Sequence, residues 1–439
     1  MKVLSISYFF PPLTGPGSFR AVKHAKYFHE FNVDPTIICA DDTVYSRDES
    51  LVAEIPANLV VSRHPFTPPI QKILDWKRKI LLEKAHEIRR SQPSPSTSNS
   101  ALANLSRIAL RGMLSVYFPD DRRPWGKKAY RSALELSQSQ SFDLIYSSSG
   151  PLTNHWVAAR LQKKLKLPWV AEFRDLWVGE ADYGAYPLRA ILDRQMERKW
   201  IRQADAVIGV TRGVSAYFAE LTNRPDKVHT ITNGFDEPDF TEVEKNLSFS
   251  STDIFEYAFS GTLYGNKSPV PLLKALPLFF EKYPHYFGKV RFRFVGRIGD
   301  RFQGYFDEME ARFPNTIVRE PLTSHRESIA RMMSADANLL FIGGGKKGLG
   351  VLTCKIFEYI RAKKPVLLIG PEGGEADQLL REVGLGKAVE ENPEEISEAL
   401  HSILRREWMT TPLTISDIQK YSRHSAAEKI AALFHQLVR

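Results

Sequence analysis

Lysine, glutamate and glycine occur together in residues 343–370 in a pattern suited to holding a phosphate. A loop of sequence GGGKKGLG enters a helix that carries Lys355 and Glu358 near its start. Residues three apart share one helix face. The helix N-terminus and the loop amides attract phosphate, and Glu358 can accept hydrogen bonds from ribose hydroxyls. The alternative is a surface ion pair, worth only about a few tenths of a kcal/mol.

A second lysine follows a strand in the stretch FSGTLYGNKSPVPLLKAL, residues 259–276. Lys267 is expected near the start of the next helix, where its charge can neutralise a diphosphate. An ion pair at ~4 Å is worth about 4 kcal/mol at an effective dielectric of 20. A surface lysine is the alternative, and the turn glycines Gly261 and Gly265 favour the binding role.

The first predicted strand is followed by another glycine-containing loop, PPLTGPGSFR. Gly15 and Gly17 let the backbone approach a phosphate closely at a helix start. The sequence GPGSFR lacks the third glycine of the dinucleotide fingerprint, so a dinucleotide fold is poorly supported. A tight strand–helix turn remains the alternative.

Three charged residues, Glu172, Arg174 and Asp175, directly follow an apolar strand in the segment EFRDLW. Polar groups at the carboxyl ends of parallel strands face the ligand crevice, so these residues and the adjacent tryptophan indicate a site. A solvated, salt-bridged corner is the alternative. His155, just after the SSSGPLT loop, either lines the same side or lies in the core or on a helix surface.

The elements that position these residues alternate between strands and helices, which predicts two α/β halves with parallel sheets. The segment 236–252 is the predicted hinge. We expect an N-terminal domain over 1–238 and a C-terminal domain over 253–417, with a C-terminal helix over about 418–439 packing back on the first. Predicted strands cover 2–9, 35–40, 142–150, 168–175 and 205–211 in the first half, and 257–261, 290–296, 316–320, 337–345 and 364–370 in the second.

The net charge of +9 is concentrated in one third of the chain. Residues 51–200 hold 24 lysines and arginines against 14 aspartates and glutamates, which favours a local anionic partner. Within this region, 70–90 reads as an imperfectly amphipathic helix with a basic face, followed by the low-complexity segment SQPSPSTSNS at 91–100. The helix either lies at an anionic membrane surface or packs on its own domain.

The composition and the cysteine count exclude several classes of protein. Apolar residues make up 43% and charged residues 25% of the 439 residues, as in globular proteins, and no apolar run is long enough to span a membrane. The N-terminal run VLSISYFF leads into PPLTGPG without a small-residue cleavage site, so it reads as a strand rather than a signal peptide. Two distant cysteines, Cys39 and Cys354, make no disulfide framework. We therefore expect a cytoplasmic protein.

Taken together, these stretches resemble the retaining glycosyltransferases of family 4. The more specific segments are ITNGFD at 231–236 and KIFEYIRAKKPVL at 355–367, and FDLIYSSSGPLTNHW with PWVAEFRDLW resembles the subgroup that builds bacterial surface polysaccharides. The resemblance implies the GT-B architecture, in which two Rossmann-like domains face each other across a cleft. It also implies a nucleotide-sugar donor, a glycan or polyprenyl-diphosphate-linked acceptor, and peripheral association with the inner face of the cell membrane.

The resemblance assigns roles residue by residue. Lys267 would bind the donor diphosphate and is a candidate catalytic residue. Glu358 matches the second glutamate of the family's Glu–seven residues–Glu motif and would hold the ribose. Arg174 falls where many members carry a histidine near the acceptor, and with Asp175 it is a candidate catalytic residue. His155 and Glu172 are the acceptor-side candidates. The donor-binding candidates besides Glu358 are Gly15, Gly17, Gly261, Thr262, Arg297, Gly350, Thr353 and Lys355.

Two positions depart from the family pattern. The first glutamate of the motif is replaced by Gly350, and the arginine five residues before the lysine is replaced by Thr262. Arg297 or Lys355 is the candidate substitute for the lost arginine. A degenerate domain that binds the donor without catalysis is therefore an alternative.

The implied mechanism is a front-side transfer that retains the anomeric configuration. A lysine, a helix dipole and backbone amides would stabilise the leaving diphosphate, with no dedicated nucleophile. No Asp-x-Asp stands where it would hold a metal-bound diphosphate, so we expect no metal and no cofactor. A sugar-nucleotide epimerase of the same fold is a second alternative. A nucleic-acid-binding protein is the third, and the absence of a nucleic-acid-binding motif disfavours it.

Overall fold

A computed structural model describes residues 1–69, 117–179, 187–246, 253–408 and 413–438. The predicted helix over 70–90 and the low-complexity segment after it lie outside the described residues. The chain forms two compact units. The first comprises Met1–Val210, Val214–Ile231 and Ala427–Arg439, and the second comprises Thr211–Gly213 and Thr232–Ala426.

The first unit contains a seven-stranded sheet in the order β3-β2-β1-β4-β5-β6-β7, and every neighbouring pair is parallel. The central strands LIYSS and WVAEF are buried along their whole length, as strands covered on both faces must be. The strands are β1 Lys2–Ile6, β2 Asp34–Asp42, β3 Val60–Phe66, β4 Leu144–Ser148, β5 Trp169–Phe173, β6 Ala206–Gly209 and β7 Val228–Thr230.

Helices connect these strands, and their apolar faces supply the core. Trp125, Val157 and Phe218 from three different helices are fully buried against the sheet. The described helices of this half are α1 Pro16–Phe28, α2 Arg123–Ser139, α3 Thr153–Leu165, α4 Pro187–Gln203 and α5 Arg212–Leu221.

The second unit repeats the plan with a six-stranded sheet in the order β10-β9-β8-β11-β12-β13. Its strand pairs are all parallel, and an apolar cluster lies on each face. The strands are β8 Phe255–Leu263, β9 Val290–Ile298, β10 Ile317–Glu320, β11 Ala337–Phe341, β12 Val366–Ile369 and β13 Gly386–Val389.

The helices of the second half complete the alternation. The capping box of Ser324 and Glu327 sets the start of one of them, α9. The described helices are α6 Glu237–Glu244, α7 Val270–Lys282, α8 Asp300–Arg312, α9 His325–Ser334, α10 Cys354–Ala362, α11 Glu375–Glu382, α12 Pro393–Leu404 and α13 Ile415–Ile418. The last helix, α14 Arg423–Val438, begins in this unit and continues into the first.

The segment predicted as the hinge contains a packed helix. In α6, Phe240 and Val243 are buried, and the buried guanidinium of Arg361 pairs with Glu237 and Glu244. Polar residues spaced around one apolar stripe therefore form a helix of the second unit. Residues 247–252 of the predicted hinge lie outside the described residues.

A helix lies where the C-terminal helix was predicted, but it begins at Arg423 rather than at about residue 418. Ile418 ends the short helix α13, Tyr421 ends a 3-10 turn, and α14 begins at Arg423. Residues from Ala427 onward belong to the first unit. There the ring of Phe434 packs 5.7 Å from Phe28 and 5.4 Å from Tyr146, measured between centroids.

Among the described helices, none combines the length and the apolar character needed to cross a bilayer.

Candidate functional site

The strand order of the second sheet has a switch point, the place where α/β sheets commonly bind ligands. The chain leaves β8 in one direction and returns to β11 on its other side, and such a switch point opens a crevice at the carboxyl ends of the two strands. Lys267 lies in the turn after β8, and the glycine loop at 343–350 follows β11. The structure therefore brings these two predicted segments to one edge of one sheet.

Lys355 reaches back across this edge to Gly261. A Cβ atom at Gly261 would come within 3.0 Å of Cε of Lys355, and Gly261 has a φ of 150°. Its neighbour across the ladder is Gly296, where a Cβ would lie 1.9 Å from the carbonyl oxygen of Gly261. A side chain at Gly261 would therefore meet Lys355, and one at Gly296 would collide with the backbone of Gly261.

Lys267 is a half-buried cation held without a carboxylate. Its Nζ lies 5.3 Å from the centroid of the Tyr264 ring, and it makes no ion pair with any residue in the described parts of the chain. Burial lowers the pKa of Lys267, and the charge of Lys355 lowers it further. Two nearby positive charges that disfavour each other provide a site for an anion.

Glu358 lies one turn into α10 beside these lysines. Its Oε2 is 3.7 Å from Nζ of Lys355, and its Oε1 is 2.9 Å from Nε2 of His325. Although burial alone raises the pKa of Glu358, Lys355, His325 and Arg423 hold it at about 2. The carboxylate is therefore ionised at neutral pH and acts as an acceptor of hydrogen bonds.

His325 and Arg423 belong to this cluster and were missed by sequence reasoning. Nδ1 of His325 is 3.9 Å from a carboxylate oxygen of Asp239. Arg423 donates to Oδ1 of Asn233 and its backbone N–H bonds the carbonyl of Phe235. Both residues lie far from Glu358 in sequence. The one available signal was the segment ITNGFD, which contains Asn233 and Phe235.

A buried hydroxyl at the start of α10 has no hydrogen-bond partner among the described residues. Thr353 is the N-cap residue, but its side chain makes no capping hydrogen bond, and its Oγ1 is buried with no partner among the described residues. An N-terminal helix end whose cap group is unsatisfied retains its capacity to bind an oxyanion.

The two positions that depart from the family pattern are exposed, as is Arg297, one of the two candidate substitutes. Thr262 and Arg297 are direct partners across the β8–β9 ladder, and both are exposed, as is Gly350. An arginine thus stands one strand away from the position where the family pattern has one.

In the first unit, Arg174 lies where the loops after β1 and β4 meet the end of β5. Its Nε donates to the carbonyl of Ser149 at 2.6 Å and its Nη2 to that of Gly150 at 3.0 Å. A Cβ at Gly17 would lie 2.4 Å from Nη1 of Arg174. Gly15 has a φ of 123° and open space around it. Asp175 is exposed.

The structure does not place Glu172 on the acceptor side. Glu172 is fully buried, its Oε1 accepts two hydrogen bonds from Arg20, and its Oε2 accepts one from Ser148 at 2.6 Å. Burial favours the neutral acid, but Arg20 keeps the pKa of Glu172 well below its ordinary value. Glu172 lies within β5 and forms an internal ion pair with Arg20.

His155 is a core histidine, so the prediction that it lines the acceptor side is wrong. It is fully buried, its Nδ1 lies 2.8 Å from Oγ of Ser147, and its ring is 4.3 Å from that of Phe173. Burial lowers the pKa of His155 to about 3. Trp177 is likewise a core residue, stacked on Trp200 at 5.4 Å.

A comparison with protein families gives a match in the first half of the chain. Residues 92–234 match the model described as a glycosyl transferase 4-like domain. No curated protein matches the sequence.

Solved structures match the fold over almost the whole chain. UDP-forming α,α-trehalose-phosphate synthase from Burkholderia xenovorans has a TM-score of 0.63 at 10% identity, covering 100% of this chain and 99% of its own. Sucrose-phosphate synthase from Thermosynechococcus elongatus has a TM-score of 0.61 at 13% identity, covering 99% and 98%.

HepE from Anabaena, solved in complex with UDP and glucose, has a TM-score of 0.60 at 16% identity and covers 100% of both chains. At such identities the likeness concerns the fold. The two parallel-sheet units and these matches establish the GT-B fold, and the domain match adds support for a glycosyltransferase of the family-4 type.

Proposed function

We propose that the protein is a retaining glycosyltransferase that moves a sugar from a nucleotide sugar to a glycan or a polyprenyl-diphosphate-linked acceptor in surface polysaccharide synthesis. The observation that carries the proposal is Lys267, a half-buried lysine beside Lys355 that has no carboxylate partner among the described residues. A buried uncompensated charge is costly, so its retention at a switch point favours an anionic ligand.

The donor would occupy the crevice of the second unit. Lys267 and Lys355 would face its diphosphate, with the Thr353 hydroxyl and the amides of 348–353 as further donors. The ionised Glu358 would accept hydrogen bonds from the ribose hydroxyls. HepE has the same fold and was solved with UDP and glucose, which supports testing UDP sugars first.

These residues would act by electrostatic stabilisation. As the bond from the sugar to the diphosphate breaks, negative charge grows on the leaving oxygen, and the lysines and the N-terminus of α10 stabilise it. Removal of one such group typically costs roughly 10²–10³ in rate. Arg297, paired with Thr262 across the ladder, would replace the arginine of the family pattern. We expect no metal requirement.

The first unit would bind the acceptor through Arg174 and Asp175. A polyprenyl-diphosphate-linked acceptor lies in a membrane, so we place the protein in the cytoplasm, peripherally at the inner face of the cell membrane. The basic excess of residues 51–200 supports an anionic membrane as partner.

The test is nucleotide release from a panel of nucleotide sugars, with and without a lipid extract as the acceptor source, in EDTA. A glycosyltransferase releases the nucleotide faster with the extract, and Lys267→Met should lose this while Lys274→Met, an exposed lysine on α7, keeps it. Sugar interconversion without any acceptor would indicate the epimerase instead. Binding without release of nucleotide would indicate the degenerate domain.

A further inference from the structure

Helix α4 presents an exposed face that combines cations with aliphatic side chains. Ile191 is 55% and Leu192 56% exposed, among the most exposed large apolar residues in the described parts of the chain. The other exposed residues in the span 191–202 are Arg194, Gln195, Arg198, Lys199 and Arg202.

These residues form one continuous surface. At 3.6 residues per turn, Ile191, Arg198 and Arg202 lie nearly in line along the helix, with Arg194 on one side and Lys199 and Leu192 on the other. The stretch from 191 to 202 is about 16 Å long at ~1.5 Å per residue. It is long enough to contact several lipid headgroups at once.

The acidic residues of α4 point away from this surface. Asp193 is buried and pairs with Arg189 at 2.6 Å. Glu197 is fully buried and accepts hydrogen bonds from the hydroxyl of Tyr217 and the backbone of Val178. The exposed face of the helix therefore carries four cations and no carboxylate.

Most of the cations on this face form no ion pair with a described residue. Arg202 donates to the carbonyl of Leu221 and to Oδ1 of Asn223. Arg194, Arg198 and Lys199 form no ion pair with any residue that the structure describes. The charges of Arg198 and Lys199 are thus available to an external anion, whereas that of Arg194 also acts on the buried Glu197.

The helix itself is firmly anchored. Arg189 donates to the carbonyls of Tyr117 and Pro119, and Trp200 stacks on Trp177. The surface is therefore preformed and does not need to fold on its partner.

We infer that the exposed face of α4 docks the protein on an anionic lipid bilayer. Lysines and arginines near such a surface each add to binding, and aliphatic side chains among them enter the headgroup boundary. A nucleic acid would pair with the cations alone, and this face has no exposed aromatic ring for base stacking. The inference rests on the proposed function only in naming a bilayer as the anionic surface, because a lipid-linked acceptor resides there.

The test is sedimentation of the full chain with vesicles of phosphatidylcholine containing phosphatidylglycerol, and with vesicles of phosphatidylcholine alone. We expect binding to the anionic vesicles only, weakened by salt. The pair Arg198→Glu and Lys199→Glu should lower the partition coefficient about 30-fold or more. Ile191→Ser with Leu192→Ser should lower it about tenfold, since the aliphatic contribution is lost.

The matched control is Lys274→Glu with Lys289→Glu, which changes the net charge equally at exposed lysines of the second unit. If this pair weakens binding as much as the α4 pair, or if the α4 pair changes nothing, the inference is overturned. Equal binding of the serine variant would show a purely ionic contact and also contradict it. Each variant is tested in parallel for a thermal shift with UDP, so failure of the donor-site proposal is separable from failure of this one.

Discussion

Nε2 of His325 lies 2.9 Å from Oε1 of Glu358, joining the start of α9 to the first turns of α10. Although burial alone lowers the pKa of His325, the hydrogen bond and charge of Glu358 raise it above the ordinary value. The imidazolium form is thus favoured by folding. This relationship sets the orientation of the carboxylate that we assign to the ribose.

The first prediction concerns the pH dependence of this pair. A raised histidine pKa contributes stability that is fully present below the unfolded value of 6.5 and is lost as pH rises through the folded value. His325→Gln should therefore reduce the free energy of unfolding by on the order of 1 kcal/mol below about pH 6.5. The difference should shrink toward zero at higher pH. Urea unfolding of both proteins across this range is the measurement, and a difference independent of pH would contradict the assignment.

The second prediction concerns the internal ion pair of Arg20 and Glu172. Arg20→Met leaves a carboxylate buried without its cation and should destabilise the protein by about 3–5 kcal/mol. Combining it with Glu172→Leu should recover a large part of that loss. The exposed pair of Arg47 and Asp41 is the control, where Arg47→Met should cost less than about 1 kcal/mol. An undiminished loss in the double variant would argue against the pairing.

The third prediction concerns the close approach of Arg174 to Gly17. Gly17→Ala adds a methyl group where the guanidinium now lies, so Arg174 must leave its loop carbonyls. We expect acceptor-dependent turnover to fall by at least about tenfold, since displacement of a positioning group is costly. Gly304→Ala is the matched control, because a Cβ there meets no atom within 4 Å. It should stabilise α8 by roughly 1 kcal/mol and keep full turnover.

The fourth prediction concerns the charge of Lys267. Because its pKa lies below the ordinary lysine value of 10.5, the free protein loses this charge at a lower pH than an exposed lysine does. A bound diphosphate favours the charged form, so binding should weaken as pH rises through the lowered pKa, with proton uptake on binding. Calorimetry with UDP in buffers of different ionisation enthalpy measures this uptake. Lys267→Met should remove it, and persistence of the uptake would assign it elsewhere.

Local pattern predicted most of the sheet structure. Each of the ten predicted strands overlaps an observed one, because strands buried on both faces are continuous apolar runs. The strands that were missed, β3, β7 and β13, all lie at sheet edges, and β7 (VHT) and β13 (GKAV) are also short. Edge strands are covered on fewer sides and need less apolar sequence.

The site was predicted in part, for a physical reason. Lys267, Lys355 and Glu358 could be singled out because glycine turns and helix starts are recognisable from local sequence, and the structure brings them close together. Their role in donor binding stays a prediction. Glu172 and His155 were misassigned because the residues packed around them determine their roles, and those residues are distant in sequence. Arg20, for example, is 152 residues from Glu172. A buried ion pair and a catalytic one share the same residue types.

The central claim is that the crevice of the second unit binds a nucleoside diphosphate through Glu358 and its neighbouring lysines. The most direct test is a thermal-shift panel of UDP, GDP, dTDP, ADP and CMP on wild type, Glu358→Ala and the exposed control Glu308→Ala. A ligand at 100 times its dissociation constant adds about 2.7 kcal/mol. We predict that one nucleoside diphosphate stabilises wild type and the control but not Glu358→Ala. Stabilisation of all three alike, or of none, would contradict the account.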